Sequence, residues 1–185
     1  LGRRCSTRFG LSNRSHARSS PKALIGGTGE HWTFGYDNKN RLVEAKRFTT
    51  TSTLAMEAQY KYDVLGNRTE KVVDDGTVKT TRFADDGWNP AKPWPIGTEN
   101  FDIWGDFDGT GSLTTRYVHG DDVDQLLARI DGASPRWYLH DHLGSIRQVL
   151  DNTGDVKNAL TYDAFGNITS ETTPAERGRY AWTGR

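Results

Sequence analysis

Histidine and aspartate side chains stand together at one point of the sequence, His140, Asp141 and His142. Two imidazoles and a carboxylate are ordinary metal ligands. Successive residues of a β-strand point to opposite faces, so the two histidines would need a further ligand nearby, and no spacing supplies one. Asp141 also starts a turn pattern. The sequence therefore predicts structural turn residues here, with no metal and no cofactor.

The stretch "DFDGTGSL" at 106–113 resembles a calcium-binding loop. Aligning Gly109 with the invariant glycine of an EF-hand puts Trp104 at the first position and Thr115 at the twelfth. Both positions require carboxylates, so the EF-hand pattern fails. A looser calcium-binding turn stays open, but a glycine-rich connection between strands is favoured.

A nucleophilic triad could be drawn from Ser145, His142 and Asp163. The serine lies in "HLGSIR", which lacks the G-x-S-x-G pattern of a nucleophile elbow. Adjacent carboxylates could serve as acid and base, but each pair falls in a turn, where a solvated tip is the ordinary interpretation: Asp74/Asp75, Asp85/Asp86 and Asp121/Asp122. The sequence predicts no enzyme.

The aspartates recur with glycine in a D-x-x-G pattern. In a type I turn, Asp is favoured at the first position and Gly at the fourth. An Asp side chain accepts hydrogen bonds from nearby amides, and glycine adopts positive φ without a steric penalty. Copies that fit this turn are the following, with Asn40 in place of glycine in a further copy that begins at Asp37: Asp63–Gly66, Asp141–Gly144, Asp151–Gly154 and Asp163–Gly166.

Bulky residues two positions apart precede these aspartates, as in Tyr60 and Tyr62. A period of two places both on one face of a strand. Phe34 and Tyr36 precede Asp37 in the same way, and Leu160 and Tyr162 precede Asp163. Such aromatic side chains could stack on sugars, but a role in the core is favoured.

Turn signals recur every ten to twelve residues along much of the chain. This spacing is typical of short antiparallel strands joined by hairpins, and it predicts an all-β fold. The only helix candidate is "VDQLLARI" at 123–130, and its flanking Asp-Gly turns favour a strand there too. Roughly a dozen strands are expected from connections at this spacing.

Charge is distributed unevenly along the chain. Six of the 24 basic residues and none of the 24 acidic residues lie in 1–29, so the remainder carries a net charge of −6. This does not favour a nucleic-acid partner. The single cysteine, Cys5, forms no intrachain disulfide, and no apolar run reaches the length of a membrane span. No secretory signal is recognised either.

Residues 1–30 are rich in Arg, Ser and Gly and show no hydrophobic period. A basic arm for anionic surfaces and a transit-like peptide are both compatible with this composition. A disordered lead-in is favoured, which leaves 31–185 as the repeat region.

The repeated pattern resembles a known family. "YKYDVLGNR" at 60–68 and "TYDAFGNI" at 161–168 resemble the tyrosine-aspartate (YD) repeat of RHS proteins. The string "RWYLHDHLGSIRQVLDNTGDVKNALTYDAFGNI" at 136–168 is similar to part of the RHS repeat-associated core. The resemblance is good over 32–73 and tight over 115–185. The residues of this chain that match the repeat are Tyr36, Asp37, Tyr60, Tyr62, Asp63, Gly66, Asp141, Gly144, Tyr162, Asp163 and Gly166.

The resemblance implies a spiralling β-sheet shell, as in toxin-complex C components and teneurins, that encloses or presents a polypeptide cargo such as a toxin. The expected partners are further repeats and a C-terminal cargo of a larger parent chain, and the expected location is the cell surface or the secreted fraction. The chain is expected to be a C-terminally truncated fragment. The alternative is a cell-surface adhesion or carbohydrate-binding module, with surface glycans as its partners.

Overall fold

The computed structural model describes residues 18–20, 29–87, 101–121 and 125–184. The chain divides into two compact units, Leu1–Gln59 and Tyr60–Arg185. The strands of the first unit are β1 (Arg18–Ser20), β2 (His31–Tyr36), β3 (Leu42–Phe48) and β4 (Leu54–Tyr62), and β4 continues into the second unit.

The second unit carries nine further strands and two short 3₁₀ turns. The strands are β5 (Arg68–Asp74), β6 (Val78–Asp85), β7 (Ile103–Asp108), β8 (Leu113–His119), β9 (Leu126–Asp131), β10 (Ser134–His140), β11 (Ile146–Leu150), β12 (Val156–Tyr162) and β13 (Ile168–Glu171). The 3₁₀ turns are Pro174–Glu176 and Trp182–Gly184.

Within each unit, neighbouring strands in the sheet are neighbours in the sequence, β1 to β4 in the first unit and β5 to β13 in the second. The strand pairs whose register is determined are antiparallel. Ala45 lies opposite Ala58, for example, and Trp137 lies opposite Ala128. The prediction of an all-β, antiparallel hairpin fold is confirmed. Within the segment "VDQLLARI", Leu126 to Ile130 belong to β9, so the preference for a strand over a helix is confirmed there; Val123 and Asp124 lie outside the described residues.

Most hairpins share a register shift directly beside the turn. Gly35 lies opposite Glu44 but Tyr36 lies opposite Leu42, so one residue of β3 bulges out. The same shift occurs between Leu139 and His140 and between Thr161 and Tyr162. A three-residue loop that ends in a left-handed residue produces such a bulge, and a bulge increases the local twist of the strands.

One predicted turn is wrong. Asp85 does not lie at a solvated turn tip, because it pairs with Ile103 as the last residue of β6 and is partly buried. The chain between Gly87 and Phe101 lies outside the described residues.

The basic segment 1–30 lies largely outside the described residues. Arg18–Ser20 form β1, which pairs with β2 of the first unit. Within the first unit the small residues Ala45 and Ala58 are buried opposite each other. The rings of His31 and Phe48, 4.9 Å apart, stack on the β2–β3 pair.

The hydrophobic core lies in the second unit, on one face of β8–β12. Its members are Tyr117, Leu126, Tyr138, Ile146, Val149 and Leu160. Burying an aliphatic side chain of this kind contributes about 2 kcal/mol. Alternate residues on the same strands point away and stay exposed, such as Trp137 and Leu139. Among the described residues, the structure has no helix of the length and apolarity that crossing a membrane requires.

Candidate functional site

The repeated aspartates are the centres of the turns. Asp163 Oδ1 accepts hydrogen bonds from the amides of Phe165 (2.8 Å) and Asn167 (2.9 Å), and its own amide donates to the Asn167 carbonyl (3.0 Å). Gly166 adopts a φ of +86° and its amide donates to the Asp163 carbonyl. Asp37, Asp63, Asp108, Asp141 and Asp151 close their turns in a similar way.

The hydrogen bonds of the turns lower the pKa values of their aspartates. The side-chain amide of Asn167 and the backbone amides of Asn167 and Phe165 hold the pKa of Asp163 below its usual value. The pKa values of Asp37 and Asp108 are lowered likewise by hydrogen bonds from their own turns. A carboxylate whose ionised form is stabilised by fixed donors is a poor general acid or base. These aspartates are therefore suited to building turns.

Two turns of this geometry were not anticipated. In "DFDGTGSL" the turn is Asp108–Gly111, a further D-x-x-G copy in which Asp108 accepts from the amides of Thr110 and Ser112. The pattern was present in the sequence at that point. The other turn runs from Thr49 to Ser52, with Thr in place of Asp and Ser52 at a φ of +60°. Only its position between two strands could have indicated it.

The repeat tyrosines are packed against neighbours. Tyr162 donates its hydroxyl hydrogen to the carbonyl of Ile146 (2.9 Å), and its ring lies 5.3 Å from the ring of Trp182. The guanidinium of Arg68 lies over the Tyr60 ring at 5.5 Å. The other two repeat tyrosines, Tyr36 and Tyr62, are also partly buried. Ring faces engaged in this way do not favour the carbohydrate-binding alternative.

The histidine pair does not assemble a metal site. His140 is half-buried at the end of β10, where burial lowers its pKa, while His142 is exposed. Between them, Asp141 Oδ1 accepts from the amides of Leu143 and Ser145. Across the part of the chain that the structure describes, no group of three His, Cys, Asp or Glu side chains is placed to hold a metal ion.

The residues of the possible triad serve separate contacts. Ser145 is fully buried, and its hydroxyl oxygen accepts a hydrogen bond from the amide of Thr183 (3.1 Å). His142 is exposed, and Asp163 is occupied by its own turn. A nucleophilic serine is activated by a hydrogen bond to its base, and these three described side chains are not arranged to provide one.

One of the paired carboxylates has a perturbed acidity. Burial first, and then the neighbouring Asp63 and Asp86, raise the pKa of Asp85 to about 6. Asp86 Oδ1 accepts from the amide of Asp102 (2.8 Å), so these side chains belong to the connection between β6 and β7. The pair Asp74/Asp75 lies in the turn between β5 and β6, and Asp122 lies outside the described residues.

The largest cluster of polar and aromatic contacts involves a segment to which the sequence pattern assigned no role. Residues 172–184 follow β13 but add no strand; instead they return across the core face of the second unit. We call this segment the strap. Asn158 of β12, fully buried, accepts hydrogen bonds at its Oδ1 from the Thr173 amide (2.9 Å) and the Thr172 hydroxyl (3.2 Å). These contacts hold the start of the strap.

Further along the strap, Glu176 meets two arginines. Arg136 of β10 donates from Nε to Oε2 of Glu176 (2.7 Å) and from Nη2 to Oε1 (3.1 Å). Arg129 of β9 donates to the Glu176 carbonyl (3.0 Å). The bond from Arg136 is the main reason that the pKa of Glu176 lies below its usual value. Bidentate pairs of this geometry are the stronger class of ion pair.

Arg179 lies at the middle of the strap and reaches β7. Its Nη1 donates to both carboxylate oxygens of Asp106 at 2.9 Å, across 73 positions of sequence. The guanidinium carbon lies 4.9 Å from the ring centres of Tyr117 and Tyr180 and 5.1 Å from that of Phe83. Desolvation disfavours the charged form, but the neighbouring tyrosines and Asp106 outweigh it and raise the pKa of Arg179.

The end of the strap returns to β11 and to the turn after β12. The amide of Ile146 donates to the carbonyl of Ala181 (2.9 Å). The indole of Trp182 lies against the Gly166 turn so closely that a Cβ on Gly166 would approach it to 2.8 Å. One glycine of the repeat thus serves both its turn and the docking of the strap.

Comparison with known proteins agrees with this architecture. No family model matches the chain. The chain is 30% identical over 128 residues, or 67% of its length, to the tRNA3(Ser)-specific nuclease WapA of Bacillus spizizenii, and equally to the tRNA nuclease WapA of Bacillus subtilis. It spans about 5% of the length of each of these relatives.

Two solved assemblies have the same fold. A TcdB2–TccC3–TEV crystal structure superposes on 88% of the chain with a TM-score of 0.59 and 13% identity. A Photorhabdus luminescens Tc holotoxin pore superposes on 88% with a TM-score of 0.55 and 14% identity. The chain covers 8% of the matched chain in each.

The fold and its turns are those of a repeat protein of β-hairpins, in which successive strands pair and an aspartate at the same position builds the recurring turn. Among such proteins, the YD pattern and the 30% identity to WapA place the chain in the RHS/YD-repeat family. Its role as a segment of such a repeat is structural.

Proposed function

We propose that this chain is a non-enzymatic wall segment of a larger RHS/YD-repeat protein, whose shell encloses or presents a polypeptide cargo. The observation that carries the proposal is the superposition of 88% of the chain on 8% of a TcdB2–TccC3 chain. A sheet that grows strand by strand in chain order extends without limit as repeats are added, which suits a wall.

The proposal assigns any toxic activity to the cargo. The WapA relatives are named as tRNA nucleases, but this chain matches only about 5% of their length. Its own repeat aspartates are used in turns, and Ser145 is used in holding the strap. A toxin or effector in another part of the parent chain fits this division, and a cell-surface or secreted location fits a protein that delivers one.

Protease protection in the complete protein that contains this chain tests the proposal. We expect electron microscopy to show a hollow particle with these strands in its wall, and we expect a second part of the chain to resist protease. Replacing Gly144 and Gly166 together with Val should open the wall locally and make the protected part cleavable, because both glycines have positive φ.

The matched control is Ala133→Val, at an exposed turn position, which should leave protection intact. A particle without an internal volume would contradict the proposal. So would a cargo that is digested at the same rate whether or not the two glycines are replaced.

A further inference from the structure

The strap binds strands that lie far apart in the sheet. It contacts β12 through Thr173, β10 through Glu176 and β7 through Arg179 before it returns to β11 through Ala181. Elsewhere in the second unit each strand is paired with its sequence neighbours. The strap is thus a connection between distant strands of an array whose other contacts are local.

An array with local contacts alone opens from its edge, one strand at a time, because each strand is held only by its neighbours. A segment that binds several strands at once changes this, since no bridged strand can leave without breaking the shared contacts. We propose that the strap is a cross-strand lock that makes strands β7–β12 open as a single unit, with Arg179 as its key contact.

The surroundings of Arg179 favour this assignment. The Asp106 carboxylate is buried and also accepts from the Tyr117 hydroxyl (3.1 Å), so its position is determined from two sides. Phe83 of β6 and Tyr117 of β8 flank the guanidinium. Arginine–carboxylate pairs and arginine–aromatic contacts are stronger when they are partly desolvated than on an open surface. Arg179 therefore binds β7 to the strap and packs against one ring on each of the two flanking strands.

Two amides report whether the strap is docked. The Ile146 amide donates to the Ala181 carbonyl, and the Thr183 amide donates to the Ser145 hydroxyl. Both bonds exist only while the strap lies on the sheet. Hydrogen exchange at these amides therefore measures release of the strap separately from unfolding of the strands.

Hydrogen exchange on the full chain, wild type against Arg179→Leu, tests the lock. We expect exchange at the Ile146 and Thr183 amides to become at least about tenfold faster, which corresponds to the loss of about 1.4 kcal/mol of docking free energy. We also expect β12, β11 and β10 to exchange at different rates in the variant but at one common rate in the wild type. The amide of Val73 in the β5–β6 ladder should exchange as before.

Arg177→Leu is the matched control, because this arginine is in the same segment but forms its ion pair with the end of β13, with Nη1 3.5 Å from Glu171. It should leave all of these rates within about twofold, because this 3.5 Å pair reaches only β13 and bridges no strand of the β7–β12 unit. A second variant, Asp106→Arg with Arg179→Asp, restores the pair in reverse and should recover a large part of the protection that Arg179→Leu removes.

Four outcomes would overturn the lock. Exchange at Ile146 could be unchanged in Arg179→Leu, or it could rise by the same factor as at Val73, which would indicate general destabilisation. Arg177→Leu could have the same effect as Arg179→Leu. If both Arg179→Leu and the reversed pair fail to fold, Arg179 is required for folding itself, and the strap is not a separately releasable lock.

Discussion

At the scale of single residues, this chain uses aspartate as a builder of turns. A turn aspartate such as Asp141 or Asp163 presents one carboxylate oxygen to two backbone amides, and the fourth residue adopts positive φ. Carboxylates whose oxygens already accept hydrogen bonds from fixed donors have little capacity left to bind a substrate. The glycines differ in what surrounds them, and this difference can be tested.

Gly166→Ala should destabilise the chain more than Gly154→Ala. Both glycines have a φ near +90°, so a side chain at either one costs about 1–2 kcal/mol. A Cβ at Gly154 meets nothing within 4 Å, whereas one at Gly166 meets the Trp182 indole at 2.8 Å. Displacing the indole should bring the total at Gly166 to about 3 kcal/mol. Chemical denaturation measures the loss of unfolding free energy in each variant. Equal losses in the two variants would contradict the contact between Gly166 and the strap.

Asp85 should make stability depend on pH between about pH 4 and pH 6. Its folded-state pKa of about 6 lies above the usual 3.8, so folding favours the protonated form. The contribution of Asp85 to the stability of the folded state is therefore greatest at low pH and is lost as pH rises through that range. Asp85→Asn should raise stability at neutral pH by about 1 kcal/mol, a value reduced for the partial exposure of the carboxyl.

Denaturant unfolding at pH values on both sides of this range measures the effect, with Asp155→Asn as the control at an exposed carboxyl. We expect the Asp85→Asn and wild-type curves to converge as pH falls toward about 4. Curves that stay parallel would show that Asp85 titrates normally.

At the scale of elements, the strands follow from the turns and the strap does not. Turn chemistry is local, because an aspartate and the amides that it binds are two to four positions apart. The strap shows no periodicity, and its partners are 40 positions away at Arg136 and 73 positions away at Asp106. Pattern analysis detects periods within a segment, so it had no signal for this element.

Asn158→Ala should separate the strap from its base. The buried Asn158 donates to Glu171 (2.8 Å) and accepts from Thr172 and Thr173. Truncation leaves buried groups without partners, so we expect a loss of about 2–3 kcal/mol in the free energy of unfolding. The control is Thr161→Val, which removes only an exposed bond to Thr169 and should cost less than about 0.5 kcal/mol. Similar losses would contradict the role of Asn158.

At the scale of the whole molecule, the sheet ends at β13, which has β12 as its one neighbour among the described strands. A strand edge with free amides and carbonyls pairs readily with other chains. In a larger repeat protein, further strands would cover it.

The isolated chain should therefore associate as its concentration rises, which light scattering after size-exclusion chromatography would detect. Ser170→Lys places a charge at an exposed position of β13 and should reduce the association. The control is Asn152→Lys, in the turn before β12, which adds the same charge at an exposed position away from the edge and should not reduce association. A sharp monomer peak at all concentrations, with a cooperative melt, would contradict this prediction.

Sequence patterns were sufficient to establish the class of fold and the construction of its hairpins. Aspartate and glycine act on backbone atoms only a few positions away, so their consequences can be predicted from segments such as Asp63–Gly66 and Asp163–Gly166. The patterns did not show that the connection after Asp85 is long, nor that Thr49 could replace an aspartate.

The binding of residues 172–184 across the sheet is visible only in the folded protein. That placement depends on Arg179 meeting Asp106 of β7 and the rings of Phe83, Tyr117 and Tyr180. Because these groups are brought together from separate strands, their contact depends on the complete sheet, and the spacing of residues along the chain carries no signal of it.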